Sequence, residues 1–266
     1  MSLVDRTIAA YRASYDLVAT RARSMSDDDL ARPSGASEWT VAQVLSHLGS
    51  AAEIGLIVLR AAPAADERPS DANQAIWDRW NALSPREQAE GFLRETEQLV
   101  SAYEALDPDQ RHNLRIPVSY LPDPADLTLM AGLRLNEAAL HGWDVEVAFD
   151  DAAAIPADVA AVLLEQLQGP IAFMLGFTGK PGALGGREAA VAVETTTSPT
   201  ADFGLLIGDQ VALAHTPQHA TATLRLPAES FIRLLAGRLT PRHTPDDVAM
   251  TGDVTLEDLR AVFPGY

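Results

Sequence analysis

Along the first 150 residues apolar side chains recur every three to four positions, and beyond Asp150-Asp151 that period gives way to short alternating runs. The change commits the chain to two differently built parts, and 266 residues are enough for each to bury a core of its own. Four long helical segments stand out in the first part. One spans about Leu3 to Arg23 and stops before a polar stretch and the Pro33-Ser34-Gly35 break. The next starts behind Thr40, with Gln43 placed for a capping box, and runs to about Arg60. A third pattern covers Asn73 to Leu106, where Ser84-Pro85 either starts a new helix or kinks one. After an irregular, proline-rich stretch from Arg111 to Pro124, the fourth runs from about Asp126 to Phe149. Four long helices imply a bundle over residues 1–150.

Residues 151–266 read as a small α+β domain, which makes the chain a two-domain protein of the α plus α/β class. A helix from Ile155-Pro156 to about Leu175 leads into a glycine-rich loop, Gly176 to Gly186. Strand-like runs follow at Ala190 to Thr196, Gly204 to Ile207, Val211 to Ala214 and Ala220 to Leu226, with Gly208-Asp209 in the form of a two-residue hairpin turn. Pro227 to Ala236, closed by Gly237, and Thr255 to Val262 complete the pattern as helices.

Charge removes several functions. A formal net charge of -17, with Lys180 the single lysine and the arginines scattered, repels phosphate backbones and anionic lipid, so neither nucleic acid nor membrane is an expected partner. The first residues mix charge into what a signal peptide would keep apolar, and no uninterrupted apolar run approaches about 18 residues, so the expected location is cytoplasmic. Cysteine is absent, which excludes disulfides, zinc ribbons and a thiol nucleophile of the chain's own. Any thiol chemistry must borrow its thiol.

Chemistry concentrates in Arg134-Leu135-Asn136-Glu137-Ala138-Ala139-Leu140-His141-Gly142-Trp143-Asp144. At helical spacing Arg134, Glu137, His141 and Asp144 share one stripe, flanked by Leu133, Leu140 and Val147 on one side and Ala138 and Val145 on the other. Burying these charges together is costly unless they pair or bind a metal. A network of ion pairs one turn apart accounts for the stripe equally well. On the second helix His47 lies in line with Val44, Ala51, Ile54 and Val58 and points inward; alone, it reads as a hydrogen-bonded core histidine. Two imidazoles and one carboxylate are also a common ligand set for catalytic zinc. Asp144 would orient His141, and Arg134 would pair with Glu137 or attract an anionic substrate. Gly176-Phe177-Thr178-Gly179-Lys180-Pro181 has the wrong glycine spacing for a phosphate loop and reads as a surface loop. His112, His215, His219 and His243 read as ordinary loop or strand-edge residues.

Trp39-Thr40-Val41 leading to His47-Leu48, followed by Arg134, Glu137 and His141-Gly142-Trp143-Asp144, resembles the mycothiol-dependent maleylpyruvate isomerase family. The resemblance implies a DinB-like metal-binding four-helix bundle over 1–150. Leu235-Ala236-Gly237-Arg238-Leu239 and Thr251-Gly252-Asp253 look like the closing motifs of the family's C-terminal domain, which is similar to sterol carrier protein type 2. By the same resemblance His47, Glu137 and His141 are the metal ligands, zinc is the expected ion, and mycothiol is the thiol cosubstrate. Nickel, iron or manganese suits the same donors. Arg238 matches an arginine thought to assist catalysis; without the family it is an exposed loop residue behind a capping glycine. Arg134 and Asp144 take supporting catalytic roles.

The expected activity is cis-trans isomerisation of a maleylpyruvate-like compound, or S-transfer to a small electrophile, by a monomer or homodimer. A thiol-independent metal hydrolase uses the same ligand set. A non-catalytic small-molecule binding protein with a structural metal would need a fourth ligand, for which Asp144 is the candidate.

Overall fold

The computed structural model describes residues 1–64, 71–118, 121, 123–197 and 201–265. It divides into two compact units, Met1–Ala153 and a second from Ala154 onward.

The first unit is helix-rich. Helix α1 (Leu3–Ala22) is capped by Ser2, and the four-residue α2 (Asp27–Leu30) by Ser26. Thr40 and Gln43 form the expected capping box at the start of α3 (Val41–Ala61). At Ser84-Pro85 the long third pattern breaks rather than bends. It yields α4 (Gln74–Asn81) and α5 (Pro85–Glu104), because Ser84 caps a new helix and Pro85 sits in its first turn, where the missing N–H costs nothing. The stretch after Leu106 is less irregular than its prolines suggest: it holds α6 (Pro108–Asn113) and a two-stranded ribbon, β1 (Arg115–Ile116) antiparallel to β2 (Ala125–Asp126). Asp126 then caps α7 (Leu127–Glu146).

Among the described residues four helices reach about five turns, and α1 and α3 each pack on both α5 and α7. Tyr15 of α1 donates its hydroxyl to the Leu93 carbonyl at 2.9 Å, and Arg12 reaches Glu97 and Glu104, which ties α1 to α5. Helix α7 is buried on nearly all sides, so its polar residues sit inside protein and not on a solvated face. By length and composition α3 is the one single helix among the described residues apolar enough to cross a membrane, but 56% of that window is buried. The apolar run satisfies a protein core.

The second unit contains a sheet. Helix α8 (Ala157–Leu167) ends well short of Leu175 because Gly169-Pro170 cannot continue it. The Gly176 to Gly186 segment is partly helical, with α9 (Leu175–Thr178) and a 3-10 turn at Pro181–Leu184; Lys180 caps the Phe177 carbonyl at 2.8 Å. Strands β3 (Ala189–Thr195), β4 (Asp202–Ile207), β5 (Val211–Ala214), β6 (Ala222–Leu226) and β7 (Ala249–Gly252) lie in the order β5-β4-β3-β6-β7. Only β3 and β6 run parallel. The β4-β5 connection has three residues, since Ile207 pairs with Val211, and neither Gly208 nor Asp209 takes the positive φ that a two-residue type I′ turn demands. Strand β7 escapes the sequence reading because its four residues carry no alternation of burial. Helices α10 (Ala228–Leu235) and α11 (Leu256–Val262) complete the unit.

Candidate metal centre

Spacing on α7 puts Glu137, His141 and Asp144 on one face, and α3 supplies His47 from across the helix pair. The Nε2 atom of His47 lies 2.9 Å from Oε2 of Glu137, and Nε2 of His141 lies 3.6 Å from the same oxygen. One donor atom from each of the three residues falls within 4.8 Å of the others, a grouping found once among the described residues. Two donors each about 2.0–2.1 Å from a tetrahedral ion stand roughly 3.3 Å apart, so the two distances to Glu137 bracket that spacing. The donor set and its spacing fit a divalent metal. The same contacts include the ion pairs one turn apart, Glu137 with His141 and His141 with Asp144, and give His47 a hydrogen-bonding partner on another helix, 90 positions away.

Asp144 is fully buried and bonds Nδ1 of His141 at 2.8 Å. That bond fixes which ring nitrogen faces Glu137, and it holds Asp144 on the far side of the imidazole from the donor cluster. Burial is the largest influence on the Glu137 carboxyl and pushes its pKa up. The His47 hydrogen bond and the charges of Arg134, His141 and His47 together outweigh it and bring the group down to about 2. Arg134 acts through charge: among the described residues no hydrogen bond or short ion pair joins it to Glu137, and it faces a small cavity lined also by Tyr11 and Thr96.

His47 is less enclosed than its apolar alignment suggests, with its side chain 35% exposed at the mouth of a groove of about 460 Å³. The indoles of Trp39, Trp77 and Trp80 and the amides of Gln43, Gln74 and Asn81 line this groove, with two serine hydroxyls. Trp39 belongs to the familiar motif, but the sequence gives no hint of its position. Its ring centre lies 5.3 Å from that of His47 and 5.9 Å from that of His141, nearly parallel to the latter. The loop before α3 places it there. Ser34 bonds the Trp39 carbonyl through both its N–H and its hydroxyl, Glu38 adopts a φ of 67°, and the Gly35 N–H donates to the Asp144 carbonyl at 2.8 Å. A Cβ on Gly35 would stand 2.7 Å from Val147 Cγ1, so only glycine lets the loop sit this close to α7.

Residues 11–146 match the family model described as the mycothiol maleylpyruvate isomerase N-terminal domain, a span that holds His47, Arg134, Glu137, His141 and Asp144. The chain belongs to the mycothiol-dependent maleylpyruvate isomerase family. A solved structure described as the mycothiol-dependent maleylpyruvate isomerase is similar over 96% of this chain and 95% of that one, with a TM-score of 0.62 at 15% identity. A histidine-to-alanine mutant of an enzyme so described gives 0.63 at 14% identity, with the same coverage. At such identity the likeness is one of fold. No curated protein sequence matches the chain.

In the second unit Arg238 follows Gly237, whose φ is 72°, as its capping role requires. It is not an exposed loop arginine. The side chain is buried and donates to the Ala236 carbonyl at 3.0 Å.

Proposed function

We propose that this protein is a mycothiol-dependent isomerase that binds a divalent metal, zinc by preference, through His47, Glu137 and His141. The observation that carries the reading is the closeness of three donors from two helices, with the outer nitrogen of His141 held by Asp144. A divalent metal held by His47, Glu137 and His141 would lower the pKa of a bound thiol and so supply the nucleophile that a cysteine-free chain lacks. Three protein donors leave a position for an exchangeable ligand. Asp144 is engaged with His141 Nδ1, which argues against its closing the site as a fourth ligand and so against a purely structural metal.

The chain's own residues do the rest. Asp144 fixes the ring of His141, Trp39 stacks on the His141 imidazole and packs tilted against that of His47, and Arg134 adds positive charge behind Glu137. For a maleylpyruvate-like substrate the thiol sulfur adds to the conjugated double bond and a proton is taken up at the neighbouring carbon. Rotation about the new single bond, then loss of a proton from that carbon and of the thiol, give the trans product. If elimination does not follow, the product is a thioether and the enzyme is an S-transferase. Arg238, in a domain we read as similar to sterol carrier protein type 2, is the proposed assisting cation for an anionic substrate. The first unit is read as the DinB-like four-helix bundle, and the protein as cytoplasmic.

The test is turnover of a maleylpyruvate-like cis acid by the metal-loaded protein with and without mycothiol. Isomerisation that requires both the thiol and His47 is expected. Turnover undiminished without thiol would replace this reading with metal-assisted hydrolysis or another thiol-free reaction.

A further inference from the structure

Inside the first unit, residues of α1, α3, α5 and α7 enclose the small cavity that Arg134 faces. Measured inside a water radius from its walls it is about 10 Å³, room for about one water molecule and too little for a substrate. Its polar wall divides into committed and orphaned groups. Ser14 donates its hydroxyl to the Ala10 carbonyl at 3.0 Å, and Tyr15 donates to that of Leu93. Tyr11 is 3% exposed, yet among the described residues its hydroxyl makes no hydrogen bond. Thr96 is as deeply buried, and its Oγ1 has no partner either. Two unpaired hydroxyls on the wall of one enclosed cavity are costly unless water satisfies them.

Arg134 is the charged neighbour that Tyr11 and Glu137 share. Burial pushes the pKa of the Tyr11 phenol up and the Arg134 charge only partly offsets it, so the phenol keeps a proton to donate. The same charge draws the Glu137 carboxyl down. Both contacts of Glu137 with the imidazoles use Oε2, and neither uses Oε1.

We propose that this cavity is a binding site for one water, which accepts from Arg134 and Tyr11 and donates to Oε1 of Glu137, making Tyr11 a positioning residue for that carboxylate. The positioning role rests on the metal-site reading above, and the water does not. A carboxylate held at Oε1 keeps Oε2 turned toward the two imidazoles, as outer hydrogen bonds orient metal ligands elsewhere. Tyr11 acts through the water and not on the metal.

The test combines a crystal structure of the zinc-loaded protein, at a resolution that orders solvent, with the variants Tyr11→Phe and Tyr15→Phe. A water within hydrogen-bond distance of Tyr11 and Arg134 is expected. Metal-free Tyr11→Phe should unfold at a lower temperature than the metal-free wild type and, when titrated, bind zinc about three- to tenfold more weakly. Tyr15→Phe loses a hydroxyl that bonds backbone, so it should also unfold earlier but bind zinc as the wild type does. The sign of the stability change discriminates, because deleting a hydroxyl that truly lacks a partner relieves its desolvation and stabilises the fold. A cavity without water, a Tyr11→Phe protein more stable than the wild type, or unchanged zinc affinity in Tyr11→Phe would overturn the proposal. A wild type that binds no zinc, with the water present and Tyr11→Phe less stable, would uphold the water site and refute the metal reading.

Discussion

Asp144 makes a single side-chain position decisive for the cluster, since it is fully buried and bonds the outer nitrogen of His141. In Asp144→Asn an amide oxygen still accepts from Nδ1, so the ring stays in place while the negative charge that strengthens the imidazole as a donor is lost. Zinc affinity should fall about 10–100-fold, measured by competition with a chromogenic chelator. Affinity equal to that of the wild type would show that Asp144 is a packing residue only. The α7 residues were legible in the sequence because all lie within three turns of one helix, where period alone decides which face they share. His47 was legible as facing a neighbouring helix for the same reason, but its 35% exposure at the groove mouth was not. The contact between His47 and Glu137 was not, because packing of two helices far apart in sequence creates it. Trp39 was legible only as part of a motif, since its place on the His141 ring and beside His47 depends on the positive φ of Glu38 and the close approach of Gly35, neither of which has a periodic signature.

Helices α3, α4 and α5 meet at Trp80, whose ring is buried between two glycines and donates through Nε1 to Glu53 at 2.8 Å. A Cβ on Gly49 would stand 2.3 Å from Trp80 Cη2, and one on Gly91 would stand 2.7 Å from the same atom. Alanine in a helix gains about 1 kcal/mol over glycine, whereas overpacking a filled core costs about 1–3 kcal/mol, so the clash wins. Gly49→Ala should lower stability in urea denaturation and loosen the wall of the groove that Trp80 helps form. A more stable variant would mean that the ring has room to move. Helix starts were the best-read elements, because Thr40 with Gln43 and Ser84 with Pro85 state their caps locally. Element ends and the sheet were read less well. Gly169-Pro170 ends α8 early, a third residue enters the β4-β5 turn, and β7 is recognisable only through its pairing with β6.

For the molecule as a whole, the charge imbalance and the absence of cysteine are the properties that its chemistry must accommodate. Acid stability follows from particular carboxylates in that surplus. Asp5 has its pKa lowered from 3.8 to about 2, chiefly by the hydrogen bond from Ser2 and then by that from Arg111, which links the start of α1 to α6. A depressed folded pKa contributes stability that is complete above the unfolded value and disappears as pH falls from about 4 toward 2. Asp5→Asn should therefore flatten the dependence of unfolding free energy on pH in that window, by less than about 1 kcal/mol because solvent screens the pair. An unchanged slope would assign the acid sensitivity to other carboxylates. The central claim, an open metal site on His47, Glu137 and His141 that accepts a borrowed thiol, is tested most directly by the absorption spectrum of the cobalt-substituted protein titrated with mycothiol. The account predicts intense tetrahedral bands that are absent in Glu137→Gln, and a new sulfur-to-cobalt charge-transfer band that saturates at one thiol per metal. A spectrum unaltered by mycothiol, or identical in Glu137→Gln, would contradict it.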